Sequence, residues 1–158
     1  LSMRQASLPV DHPDIAVSYS GIGLVYCRQG KYAEALEQHQ KALDIRLVAL
    51  GEKHADTAES YHRRAMVYDS QGKYAEALEL YQKALDIRLV ALGSDHPNVA
   101  GSYNNMAIVY KNQGKYAEAL ELYQKALDIY LVALGADHPR TIQVQRGVID
   151  CKKKMESG

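Results

Sequence analysis

The chain has 158 residues, enough for one or two ordinary domains with a sizeable core. Lys and Arg number 19 and so do Asp and Glu, so the formal net charge is zero, which argues against a DNA or anionic-membrane binder that works by overall electrostatics. With 47% hydrophobic and 24% charged residues, and no apolar run near the ~18 residues of a membrane helix, the chain reads as a folded domain rather than a disordered or membrane-spanning one.

The dominant signal is self-similarity. Residues 31–51 read KYAEALEQHQKALDIRLVALG, residues 73–93 KYAEALELYQKALDIRLVALG and residues 115–135 KYAEALELYQKALDIYLVALG, a period of 42. The last two differ only at Arg88 against Tyr130. In chain order, Leu1–Leu8 align with Leu43–Leu50 and read as the tail of a preceding helix. The opening LSMRQASLPVDHPD has no apolar core, so no signal peptide is expected. Helices follow near 13–29, 32–50, 55–71, 74–92, 97–113, 116–134 and 139–155, without a competing strand pattern. The first helix of each pair opens after a sequence such as Asp95-His96-Pro97, in which Asp or His caps and Pro suits the first turn. The second carries one apolar stripe, as in Ala77, Leu78, Tyr81, Ala84, Leu85, Leu89 and Leu92, and ends at Gly51, Gly93 or Gly135. The units therefore span 12–51, 54–93 and 96–135, and 138–155 reads as a capping helix whose Lys152, Lys153 and Lys154 face solvent. The pattern also reads as a segment of a longer array.

Tyr103, Met106-Ala107, Tyr110, Ala119 and Tyr123 stand at the spacings of a tetratricopeptide repeat, as do Tyr61, Arg64-Ala65, Tyr68, Ala77 and Tyr81, and Tyr19, Ile22-Gly23, Tyr26, Ala35 and His39. The chain thus resembles the tetratricopeptide-repeat family. The usual proline is replaced by Leu47, Leu89 and Leu131, which lengthens the second helix, and Leu92-Gly93-Ser94-Asp95-His96-Pro97 resembles the linkers of the kinesin-light-chain type. The expected fold is all-α: antiparallel helix pairs stacked as a right-handed α-solenoid, because no single pair buries its stripe alone. Small residues at 23, 65, 107, 35, 77 and 119 are expected where paired helices approach closely.

The resemblance implies that first helices line a concave groove, along a strip marked by 17, 20/21, 24 and 27/28 and their equivalents. Its apolar centre is Leu24, Met66 and Ile108; around it lie Arg28, His62, Arg63, Asn104, Asn105, Lys111, Arg146, Lys153 and Lys154, with Glu59, Asp69 and Asp150 as the acids. Such a strip suits an extended peptide with acidic residues: Asn105 pairs with peptide backbone, as an asparagine does there in peptide-binding relatives, and Arg63 and Arg146 fork onto carboxylates. Gly21, Arg63 and Gly147 stand in place of Asn105 in the other units. A self-associating segment is the alternative, with Leu1, Met3 and Leu8 docking on the last helix of another copy. Arg64 interrupts a row of Ile22, Met106 and Val148, and its stem is expected to pack while its head reaches solvent or a carboxylate.

Catalytic patterns are lacking: there is no phosphate loop, no nucleophile elbow and no cysteine–histidine signature, so neither an enzyme nor a cofactor is expected. His12, His54, His96 and His138 recur in register, but points one helix spacing apart (~8–10 Å) do not share a metal ion, and they read as loop residues. Glu34/Glu37, Glu76/Glu79 and Glu118/Glu121 read as exposed charge. Cys27 and Cys151 lack a disulfide or redox spacing, which points to a reducing, cytoplasmic setting. The expected partner is a peptide or protein, with neither nucleic acid nor membrane, and a homo-oligomer through the repeat ends is possible.

Overall fold

The computed structural model describes residues 12–157, which form seven α-helices and no strand. They are α1 Pro13–Arg28, α2 Tyr32–Leu50, α3 Ala55–Ser70, α4 Tyr74–Leu92, α5 Pro97–Asn112, α6 Tyr116–Ala133 and α7 Pro139–Ser157. The boundaries fall within two residues of those read from the repeat. The segment Leu1–Leu8 lies outside the described residues.

Each start and stop has a local cause. The Nδ1 atoms of His12, His54, His96 and His138 accept the backbone N–H two residues on, at 3.0–3.1 Å, and so cap α1, α3, α5 and α7. The recurrent histidines are helix caps. At the other end of α1, Gly30 takes φ +77, its N–H donates to the Cys27 carbonyl and the Lys31 N–H to the Tyr26 carbonyl. That is the paired closure of a helix on a left-handed residue, and a side chain there would be strained. The same pair of bonds closes α3 and α5 at Gly72 and Gly114.

The described residues divide into two compact units, the first ending at Ile87 and the second beginning at Arg88. In the first, Leu43, Ala58, Tyr61, Ala84 and Ile87 bring α2, α3 and α4 into one core cluster. In the second, Ala100, Ala107, Ala119, Tyr123, Ala126, Tyr130, Val144, Val148 and Cys151 do the same for α5, α6 and α7. The small residues at the helix crossings are fully buried: Ala35, Ala65, Ala77, Ala107 and Ala119 are all 0% exposed. A Cβ on Gly23 would come within 2.8 Å of the His39 ring. One on Gly147 would come within 2.6 Å of the Tyr123 ring, so both glycines are required by close approach.

Lysines cover one tyrosine ring of each helix pair. Lys41, Lys83 and Lys125 lie over the rings of Tyr19, Tyr61 and Tyr103 at 5.5, 4.7 and 5.5 Å, in the same register in every helix pair. Burial pushes the Tyr123 hydroxyl up to about 12 and raises that of Tyr81 as well.

Candidate functional site

In the first unit α1 and α3 both pack on α2 and touch each other. Between them is a pocket of about 220 Å³, lined by Val17, Ser20, Gly21 and Leu24 from α1, Arg46 from α2, and Glu59 and Arg63 from α3. The walls follow from helical spacing: 17, 20, 21 and 24 share one face of α1, and 59 and 63 are one turn apart on α3. Arg63 Nε donates to Glu59 Oε1 at 2.7 Å, so this pair forms a charged rim. Arg46 stands beneath it, 6% exposed, with Nη1 donating to Ser60 Oγ at 2.9 Å. Burial lowers the Arg46 pKa, and Asp56 and Glu59 oppose that shift. With two arginines and one glutamate, the pocket is a small cationic recess with an apolar wall.

Behind it lies a buried histidine. His39 is 1% exposed and its Nδ1 has no hydrogen-bond partner. Burial lowers its pKa to about 4, and Arg63, Arg46 and Arg64 add to the shift. The imidazole is therefore neutral at physiological pH, as a filler of the position that Tyr81 and Tyr123 hold in the other copies.

Of the residues expected on the strip in this unit, Leu24 and Arg63 line the pocket. Arg28 is exposed in the last turn of α1 and Met66 is half-buried on α3. His62 is turned into the wall, 9% exposed, with its ring edge-on to Tyr81 at 5.2 Å between centroids. Asp69 is half-buried, and that burial raises its pKa. In the second unit Asn104, Asn105, Ile108 and Lys111 are half-buried on α5, and Ile108 packs on the core cluster. Asn104 Oδ1 is buried without a partner. Arg146 and Lys153 are exposed on the neighbouring α7. Sequence reasoning missed Arg46. Its signal was present, because Arg46 and Arg88 interrupt an otherwise apolar helix flank.

A tetratricopeptide-repeat family model matches residues 14–89, 61–131 and 98–148, nearly the whole of the chain. The chain belongs to the tetratricopeptide-repeat family. Among solved structures it is similar to the nearly identical repeats of a Podosopora anserina kinesin light chain: 26% identity, TM-score 0.81, covering 92% of this chain and 69% of that one. It is also similar to BtubC from P. vanneervenii, at 23% identity and TM-score 0.82 over 92% of this chain and 58% of that one. The N-terminal domain of stress-induced protein-1 from C. elegans matches at 17% identity and TM-score 0.64 over 89% and 96%, a likeness of fold alone. No curated protein matches this sequence. The all-α helical-repeat class expected from the sequence is thereby shown, and such repeats generally serve as protein-interaction scaffolds. Among the described residues no group of three His, Cys, Asp or Glu side chains comes together as a metal site, and no helix is long and apolar enough to cross a membrane.

Proposed function

We propose that this tetratricopeptide-repeat chain is a non-catalytic scaffold that holds an extended peptide or protein segment carrying acidic residues. The observation that carries the proposal is the pocket between α1 and α3, where a carboxylate would meet Arg46 and Arg63 and an aliphatic side chain would meet Val17 and Leu24. The Arg63–Glu59 pair orients the guanidinium fork and takes up part of its charge, so the pocket selects for a single carboxylate rather than a run of them. Arg28 and Met66 extend this surface in the first unit. In the second unit Asn104, Asn105 and Lys111 on α5 and Arg146 and Lys153 on α7 are the polar candidates and Ile108 the apolar one, and Asn105 is the residue suited to peptide backbone.

The test is a peptide-display selection on the purified chain, counter-selected against Arg63→Glu. Acidic peptides are expected to be enriched, and their affinity should fall about tenfold or more with Arg63→Glu and with Leu24→Ala. Enriched peptides that bind both variants unchanged would place the binding surface elsewhere. Self-association is the second reading, favoured by Ile142, Ile149 and Met155, which are 37–47% exposed on α7. Light scattering against concentration decides it: a constant monomer mass through the micromolar range would remove it.

A further inference from the structure

The copies at 73–93 and 115–135 are identical except that Tyr130 replaces Arg88. Both side chains are buried, 4% exposed for Arg88 and 3% for Tyr130. Arg88 Nη1 donates to Ser102 Oγ at 2.9 Å and lies 3.5 Å from the Asn98 carbonyl oxygen. Arg46 makes the same 2.9 Å bond to Ser60. In both cases the acceptor stands fourteen residues on, in the first helix of the following pair. Fourteen residues after Tyr130 stands Val144, 1% exposed and in the same core cluster as the tyrosine ring. The sequence therefore writes Arg–Ser, Arg–Ser, Tyr–Val, and upstream Arg4 precedes Ser18 at the same spacing.

A second difference runs with the first. Ten residues after Arg46, Arg88 and Tyr130 stand Asp56, Asn98 and Arg140. Asp56 acts on the Arg46 charge favourably, and Arg140 acts on the Tyr130 hydroxyl. Where the second helix carries an arginine, the next helix offers a hydroxyl and an acid or amide. Where it carries a tyrosine, the next helix offers an apolar side chain and a cation.

We propose that these positions are a junction code by which a second helix carrying arginine and one carrying tyrosine each select the matching kind of first helix. Near-identical copies create a register problem, since α4 and α6 expose the same surface everywhere else. A slip of one unit, or exchange of helices with a second copy of the chain, would set Arg88 against Val144 and Arg140. That leaves a buried guanidinium without its hydroxyl acceptor and beside a like charge, and both are unfavourable in the interior. The converse mispairing sets a tyrosine ring against Ser102, which is too small to fill the space Val144 fills. The one position at which the copies differ is the one that tells them apart.

The test is a double-variant cycle in the full chain: Arg88→Tyr, Ser102→Val and the two together, each followed by urea unfolding. Each single change should lower the folding equilibrium constant about tenfold, and the pair should fold about tenfold better than the product of the single losses. Losses that simply multiply would overturn the code. If either single variant does not fold, the equivalent cycle of Arg46→Tyr and Ser60→Val supplies the same comparison. The paired variant also makes 73–93 and 115–135 identical. Refolded beside the wild type at equal high concentration, it should yield severalfold more helix-exchanged oligomer by light scattering. Equal yields would show that the pair stabilises its junction without selecting it.

Discussion

His39 links the stability of this chain to pH in a way that can be worked out from its surroundings. Its folded-state pKa is lowered from 6.5 to about 4 by burial first and then by Arg63, Arg46 and Arg64. The unfolded chain takes up a proton as pH falls through 6.5, whereas the folded chain refuses it until about 4. Stability contributed by the neutral imidazole is therefore full above pH 6.5 and declines between 6.5 and 4. At ~1.36 kcal/mol per unit, the loss across that window is about 3 kcal/mol. The perturbation is His39→Tyr, which places the residue found at 81 and 123 and removes the titration. Urea unfolding followed by circular dichroism, at pH steps from 7.5 to 4, gives the stability difference between wild type and variant. Every other group is common to the two proteins, so its contribution cancels in the difference. The difference should move against the wild type by about 3 kcal/mol as pH falls, and a flat difference would refute the buried, neutral imidazole.

Three further outcomes follow from the packing. Gly147→Ala should destabilise by about 1–2 kcal/mol in urea unfolding, because overpacking against the Tyr123 ring at 2.6 Å outweighs the ~1 kcal/mol of helix propensity gained. His54→Ala removes the Nδ1 cap of α3 and should cost about 1 kcal/mol at neutral pH, read from the same assay. Arg64→Met should raise the melting temperature by calorimetry, since Arg64 Nε is buried without a partner and Ile22, Met106 and Val148 hold the equivalent places.

The helices were legible because the same 42-residue pattern recurs, so each helix limit was read several times over. The caps were half legible: Asp-His-Pro marked the position but left Asp or His open, and the structure supplies histidine Nδ1 as the acceptor. The pocket was half legible. Positions 17, 20, 21 and 24 follow from helical period on α1, but Arg46 reaches the same space from the other helix of the pair, and no single-helix period reports that. His62 illustrates the opposite failure. Its register places it on the strip, yet the ring turns inward against Tyr81, because rotamer and neighbour decide which side of a helix edge a side chain joins. His39 could be read only as a departure from the aromatic pattern, because its neutrality comes first from burial, with Arg63, Arg46 and Arg64 adding to it.

The junction pairs also bear on how such an array changes length. Residues 73–87 and 115–129 are identical, so unequal recombination between their coding sequences would add or remove one whole unit there. Because each junction residue and its partner both lie downstream of that tract, every such event carries Arg88 along with Ser102, or Tyr130 along with Val144. An exchange within the shorter shared tracts 89–93 and 131–135 or 95–97 and 137–139 would separate them and join Arg88 to Val144. Under the junction code, duplications and deletions of a unit would inherit matched junctions from most of these breakpoints.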